Sequence, residues 1–297
     1  MSTDLLTRAV SQDGSARILV LNSKNITEKA RQIHELTPTT TALLGRALTA
    51  CSLMSCLLKD KDNTLTLQIT GNGPASKVVC VGDYMGNVKG YVADPYVDIP
   101  LNSYGKLDVG GAIGHEGTLC IIKDMGLKEP YIGMSPLVSG EIAEDITEYF
   151  AQSEQTPTVC ALGVLVDRDR SVLASGGFIV QLLPGADDSI IDILERNIAP
   201  LASVTAMLAD GCSNEDIIRM VFNGIDYDIF DEIPVEYRCN CSYEKYEKAM
   251  LSLGKEELSD MYAENKTQTA KCYFCSSEYN FTPEALKNML DSLDNKN

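Results

Sequence analysis

The chain has 297 residues, ten cysteines and two histidines, and its 25 basic and 42 acidic residues give a net charge of −17. This length allows two domains and a core that needs no disulfides, and the charge excludes a broad nucleic-acid surface, which requires clustered Lys and Arg. The start, MSTDLLTRAV, has neither a basic nor an apolar leader region, so a cytoplasmic address with reduced thiols is expected.

The first 180 residues alternate strand-like and helix-like runs. Arg17 to Asn22 is a short strand candidate. Asn25 with Glu28 three residues on reads as a capping box opening a helix to about His34. Thr37-Pro38 starts a long helix, with Pro at the first position, where its missing N–H does no harm. The apolar stretch Thr41 to Leu58 is broken by Arg46, Thr49, Ser52 and Ser55, so it is a poor bilayer span and reads as a helix buried on every face.

Leu65, Leu67 and Ile69 alternate with polar residues as in a half-buried strand. Turns at Asn72-Gly73 and Gly86-Asn87 lead into Lys77 to Val81 and Val88 to Ala93, giving an antiparallel meander. The Gly110-Gly111-Ala112-Ile113-Gly114 run lacks the Lys and Ser/Thr of a phosphate loop and reads as a bend between strands. Further strands are expected at Thr118 to Lys123 and Thr158 to Asp167, separated by a helix near Ile142 to Gln152. Ser171 to Leu183 is the last strand candidate, interrupted at Gly176-Gly177. These elements predict an α+β core domain with an antiparallel sheet over residues 1–182.

Residues 183–235 hold two basic and eleven acidic residues, yet carry three helical patterns. Ile190, Ile191, Ile193, Leu194 and Ile198 make one, and Leu201 to Leu208 another. Ser213 with Asp216 caps the third, which stops at Gly224. A segment this apolar and this acidic reads either as three ordinarily packed helices or as a helical linker whose docking is conditional.

Residues 236–297 contain Cys239-Asn240-Cys241, thirty intervening residues, and then Cys272-Tyr273-Phe274-Cys275. In an extended stretch residues i and i+2 point to one side, so the first pair can offer both sulfurs to one ion, and a tight turn serves the second pair. Four thiols so paired predict a closed tetrahedral zinc site with Cys239, Cys241, Cys272 and Cys275 as ligands. Between the pairs, Tyr246, Ala249, Met250 and Leu253 form one helical face and Leu258, Met261 and Tyr262 a second. Thr282-Pro283 opens a final helix. So few apolar anchors make the module marginal by itself, whereas a structural zinc contributes about 10 to 16 kcal/mol of folding free energy.

Other candidates read as structural. His34 and His115 leave few options for an enzyme, and His115 sits in a Gly-rich turn expected to be solvated. Cys51, Cys56, Cys80, Cys120, Cys160 and Cys212 read as small buried hydrophobes.

The Cys-x-Cys and Cys-x-x-Cys pairs are joined by other signals. These are Gly90-Tyr91-Val92-Ala93-Asp94-Pro95, the run 131–155 containing Gly140-Glu141-Ile142-Ala143, and Gln181-Leu182-Leu183-Pro184-Gly185. Together they resemble the redox-regulated heat-shock protein 33 family, the 33 kDa chaperonins, over essentially the full chain. The resemblance implies an ATP-independent holdase of the bacterial cytoplasm, not an enzyme. It would be inactive when reduced, with one Zn2+ per chain held by the four thiolates. It further implies that oxidant joins Cys239 to Cys241 and Cys272 to Cys275, that zinc leaves, and that the acidic linker undocks to expose surface for unfolding client proteins. The oxidised form would be a homodimer and the reduced form a monomer, with no nucleic-acid or membrane partner. The chemistry agrees with such a switch, because thiolates are the species oxidants attack and a neighbouring thiol resolves a sulfenic acid into a disulfide. The alternatives are a constitutive zinc-ribbon adaptor and a dithiol oxidoreductase. Residues 236–297 hold eight basic and eleven acidic residues, which argues against a nucleic-acid adaptor.

Overall fold

A computed structural model describes residues 3–294 and divides the chain into two compact units, Met1–Arg238 and Cys239–Asn297. The first unit opens with β1 (Asp4–Ser11), β2 (Ala16–Asn22), α1 (Lys24–His34) and α2 (Pro38–Ser55). Next come β3 (Thr64–Gly71), β4 (Lys77–Asp83), β5 (Val88–Val92), the short α3 (Val109–Ile113), β6 (Gly117–Asp124) and β7 (Tyr131–Pro136). The unit continues through α4 (Ala143–Ser153), β8 (Thr158–Val166), β9 (Val172–Leu182), α5 (Asp188–Ile198), α6 (Val204–Ala209), α7 (Asn214–Val221) and β10 (Tyr227–Val235).

Two five-stranded antiparallel sheets organise this unit, ordered β10-β1-β2-β9-β8 and β5-β4-β3-β6-β7. Between them lies α2, on which every residue except Pro38 and Arg46 is buried. Thr37 caps it, accepting from the Thr40 N–H, and Pro38 opens its first turn, as the sequence predicts. Its hydroxyls are absorbed locally: Thr49 donates to the Gly45 carbonyl and Ser52 to that of Gly86. Polar groups therefore sit in the core without an unmatched donor at these positions.

The strand period of two separates the layers. On β2, Leu19 and Leu21 join the core around α2, whereas Ile18 and Val20 face the other way. That second face, with Phe178 and Val180, is covered by Ile190 and Leu194 of α5, Val204 and Met207 of α6, and Ile217, Ile218 and Val221 of α7. The acidic segment thus carries the three expected helices, and it also contributes β10, a strand that the helical reading does not contain.

Several local expectations are corrected. The N-cap of α1 is Ser23 and no capping box forms at Asn25 and Glu28. Asp4 of β1 instead accepts from the Asn25 and Ile26 N–H groups, while Glu28 turns to Arg31. The 110–114 glycine run is not a bend but lies largely within α3, because Asp108 caps the turn by accepting from Gly111 N–H. Nor is β9 interrupted at Gly176-Gly177. A Cβ at either position would lie 2.5 Å from the Leu21 carbonyl or 2.6 Å from that of Ala161, so glycine is what lets both neighbouring strands close in.

The second unit holds α8 (Tyr243–Leu251), α9 (Lys255–Ala263), the hairpin β11 (Gln268–Lys271) and β12 (Glu278–Phe281), and α10 (Pro283–Asp294). Its three helices fall where periodicity places them. Its core is small, with Leu258, Phe281, Leu286 and Met289 buried. Among the described residues no helix is long and apolar enough to cross a membrane.

Candidate metal centre

Cys239-Asn240-Cys241 lies outside regular structure just before α8, whose N-cap Ser242 accepts from the Lys245 N–H. Lys245 Nζ reaches back to donate to the Asn240 carbonyl at 2.7 Å, pinning the residue between the two thiols. The second pair sits at the tip of the β11–β12 hairpin. Cys272 N–H donates to the Ser277 carbonyl at 2.8 Å and Ser276 N–H to the Cys272 carbonyl at 2.9 Å, which folds Cys272 to Cys275 into a knuckle.

These two devices bring all four Sγ atoms within 4.8 Å of one another. Cys239 and Cys272 are 3.8 Å apart, and Cys241 and Cys275 3.3 Å. Zinc–sulfur bonds of about 2.3 Å in a tetrahedron set the sulfurs about 3.8 Å apart, so the donor set fits such an ion. Cys272 is buried and the other three half-buried, and all four are free thiols. Among the described residues no other group of three or more His, Cys, Asp or Glu side chains is drawn together in this way.

Neighbouring hydroxyls tune the sulfurs. Burial pushes the Cys239 thiol up to about 12. Burial also raises Cys241, against the hydrogen bond from Tyr279, whose O–H lies 3.0 Å from Cys241 Sγ. At Cys275 burial is outweighed by the hydroxyl and N–H of Ser277, and the thiol falls to about 7. The Cys275 sulfur is thus disposed to ionise beside Cys239 and Cys241, which need a cation or a base to do so. The Tyr279 ring stacks on Tyr246 at 4.7 Å, which fixes its hydroxyl. Spacing alone does not reveal Tyr279, Ser277 or Lys245, because each acts through a contact that only the hairpin and α8 create.

The remaining candidates stay apart from this cluster. His34 Nε2 lies 3.2 Å from the Tyr237 hydroxyl, and exposed His115 bonds the Ser139 carbonyl through Nδ1 at 2.8 Å. Cys51, Cys56 and Cys80 are buried as expected, and burial pushes the Cys56 thiol up to about 12. Cys120, Cys160 and Cys212 are only partly buried, a correction that follows from their places: Cys120 on the face of β6 opposite core-facing Leu119 and Ile121, Cys160 on the edge strand β8, and Cys212 in the turn after α6.

The Hsp33 protein family model matches residues 4–282. A 33 kDa chaperonin of Clostridium perfringens is 46% identical over 290 residues, covering 97% of this chain and 91% of the relative. One from Clostridium beijerinckii is 44% identical over 289 residues, covering 97% and 99%. The crystal structure of the 33 kDa chaperonin, a heat shock protein 33 homologue, from Thermotoga maritima superimposes with a TM-score of 0.91 at 36% identity, covering 99% of this chain and all of that one.

Proposed function

The chain belongs to the Hsp33 family of chaperones, and from that premise we propose that it is an ATP-independent holdase of the bacterial cytoplasm, switched by the oxidation state of Cys239, Cys241, Cys272 and Cys275. The observation that carries this reading is the set of four sulfurs with zinc-like spacing, contributed by a unit whose own core is small. We divide the chain accordingly into a core of residues 1–182, an acidic linker of 183–235 and a switch module of 236–297.

In the reduced chain the four sulfurs would hold one Zn2+, which supplies folding free energy and keeps the donors as thiolates. Tyr279 and Ser277 orient and stabilise the sulfur charge. On oxidation each pair of thiolates, Cys239 with Cys241 and Cys272 with Cys275, gives up two electrons to one hydrogen peroxide, which takes two protons from solvent and leaves as two waters while one S–S bond forms. The site then has no thiolate left to coordinate with and gives up its ion. The module loses its main source of stability, and the linker loses the folded neighbour that follows it in the chain. Undocking of α5–α7 bares Ile18, Val20, Phe178 and Val180, an apolar sheet face suited to unfolding clients. The oxidised form pairs as a homodimer and the reduced form is a monomer.

Zinc stoichiometry and suppression of client aggregation, measured together on reduced chain and on chain treated with peroxide under mild heat, test this reading. About one zinc per reduced chain, lost as activity appears, is expected. Zinc retained in fully active, oxidised protein would overturn it. Peptide mapping of the oxidised chain checks the pairing, since a Cys239–Cys272 link would contradict the scheme.

A further inference from the structure

The strand β10 is an unusual member of its sheet. It is the outermost strand, paired antiparallel to β1 from Ser11↔Tyr227 to Asp4↔Val235, with a bulge between Arg8 and Ala9 that leaves Phe230 without a partner residue. Only Ile233 and Val235 along it are buried, and Phe230 is 72% exposed. What holds its middle is one cation. Arg8 grips Asp231 through both Nε, at 2.7 Å, and Nη2, and its guanidinium carbon stands 5.2 Å from the centroid of the Phe230 ring. This is bidentate carboxylate recognition with an aromatic ring over the same guanidinium.

A second arginine lies beside the first. Arg17 is the β2 partner of Val10, diagonal to Arg8, and it donates both of its hydrogen bonds to the neutral Gln181 Oε1 at 3.0 and 2.7 Å. The two arginines line a cleft of about 210 Å³ with Leu57, Leu58 and Phe230. The edge of β1 thus offers three things at once: a row of backbone donors and acceptors, a fork for a carboxylate, and an apolar cleft carrying excess positive charge.

We infer that β10 is an internal stand-in for a client, and that the β1 edge with Arg8 and the Arg17 cleft takes extended polypeptide in which an acidic residue follows an aromatic one, as Asp231 follows Phe230. This inference rests on the release of the acidic segment proposed above. Strand addition supplies affinity that is indifferent to most side chains, and the Arg8 fork supplies register. An acidic, partly apolar segment is a fitting cover for such an edge, because it resembles the occupant while its own Asp228, Glu232 and Pro234 discourage further strands from adding to it.

The test uses the full chain oxidised by peroxide, a fluorescent nine-residue peptide with the sequence Tyr227–Val235, and a scrambled peptide of equal composition. Fluorescence anisotropy is expected to show the native order binding at least about tenfold more tightly, with that preference lost in Arg8→Gln. Equal affinity for the two peptides, with the β10 amides exchanging freely, overturns the inference. Peptide binding that weakens as chain concentration rises also overturns it, by making β10 of a second copy the occupant. A second variant, Asp231→Arg, loosens β10 in the reduced chain by like charge against Arg8. If oxidised wild type keeps its β10 amides protected from exchange while the reduced variant prefers the native-order peptide, the edge is as inferred and the release is what fails. If β10 exchanges freely in both and neither distinguishes the peptides, release stands and this inference falls.

Discussion

Tyr279 reaches the metal centre through one hydrogen bond, from its hydroxyl to Cys241 Sγ at 3.0 Å, and its ring is held by stacking on Tyr246. Tyr279→Phe keeps the ring and removes the donor. Groups in this outer position commonly set metal affinity by about 10- to 100-fold, so zinc binding by the reduced variant should weaken by about that factor in competition with a chelator, with folding of the loaded chain unchanged. Affinity equal to wild type would leave the hydroxyl with a packing role only. The four thiols were legible because their spacing is itself the chemistry: two short loops can each present two sulfurs. Tyr279 was not legible, since an alternating strand places a tyrosine four residues after a cysteine for many reasons, and only the knuckle turns its hydroxyl back to the site.

Secondary elements show the same division. Helix α2 was readable from Thr37-Pro38 and from apolar residues on every face, because a helix buried all round leaves that mark in composition. Strands β1 and β10 were not readable. Polar Asp4, Thr7 and Ser11 are buried among the apolar residues of β1 and mask its alternation, while β10 carries the bulged Phe230 and mixes three acidic residues with a proline, which only an edge strand tolerates. The junction of α1 with β9 carries a pH dependence. Arg31 beside Glu28 holds that carboxyl down to about 2 against partial burial, aided by the Val172 N–H at 3.0 Å. A carboxylate depressed in the folded state contributes stability above its usual value of 4.5, and that contribution is lost as pH falls through about 2. Exchange at the Val172 amide should therefore rise as pH is lowered through this window, after correction for intrinsic rates. Glu28→Gln should flatten the profile, and a variant with the wild-type profile would assign the dependence elsewhere.

At the scale of the whole chain, the two units differ in what sustains them. Met1–Arg238 encloses a continuous core around α2, whereas Cys239–Asn297 buries Leu258, Phe281, Leu286, Met289 and little else that is apolar. Chelation under reducing conditions should therefore unfold the second unit, loosen the linker of residues 183–235 that it follows, and leave the core of residues 1–182 cooperative. Loss of amide protection over residues 239–294 with protection kept over residues 4–182 would mark this, and retained protection over 239–294 would mean that apolar packing suffices. A further consequence follows from the way β10 ends. Beyond Val235 the chain pairs in parallel with Val88 at Tyr237, whose hydroxyl donates to the Gly90 carbonyl at 2.8 Å, so the last residues before Cys239 are tied to both sheets. Buried Ile233, Val235 and Tyr237 lie at this end, and exposed Asp228, Ile229 and Phe230 at the other. Tension applied from residue 239 would thus load the toughest stitches first. Behind them the exposed part of the strand is held by its ladder to β1 and the Arg8 fork on Asp231, so under an optical trap the strand should part in a single rip at a threshold force rather than creep open.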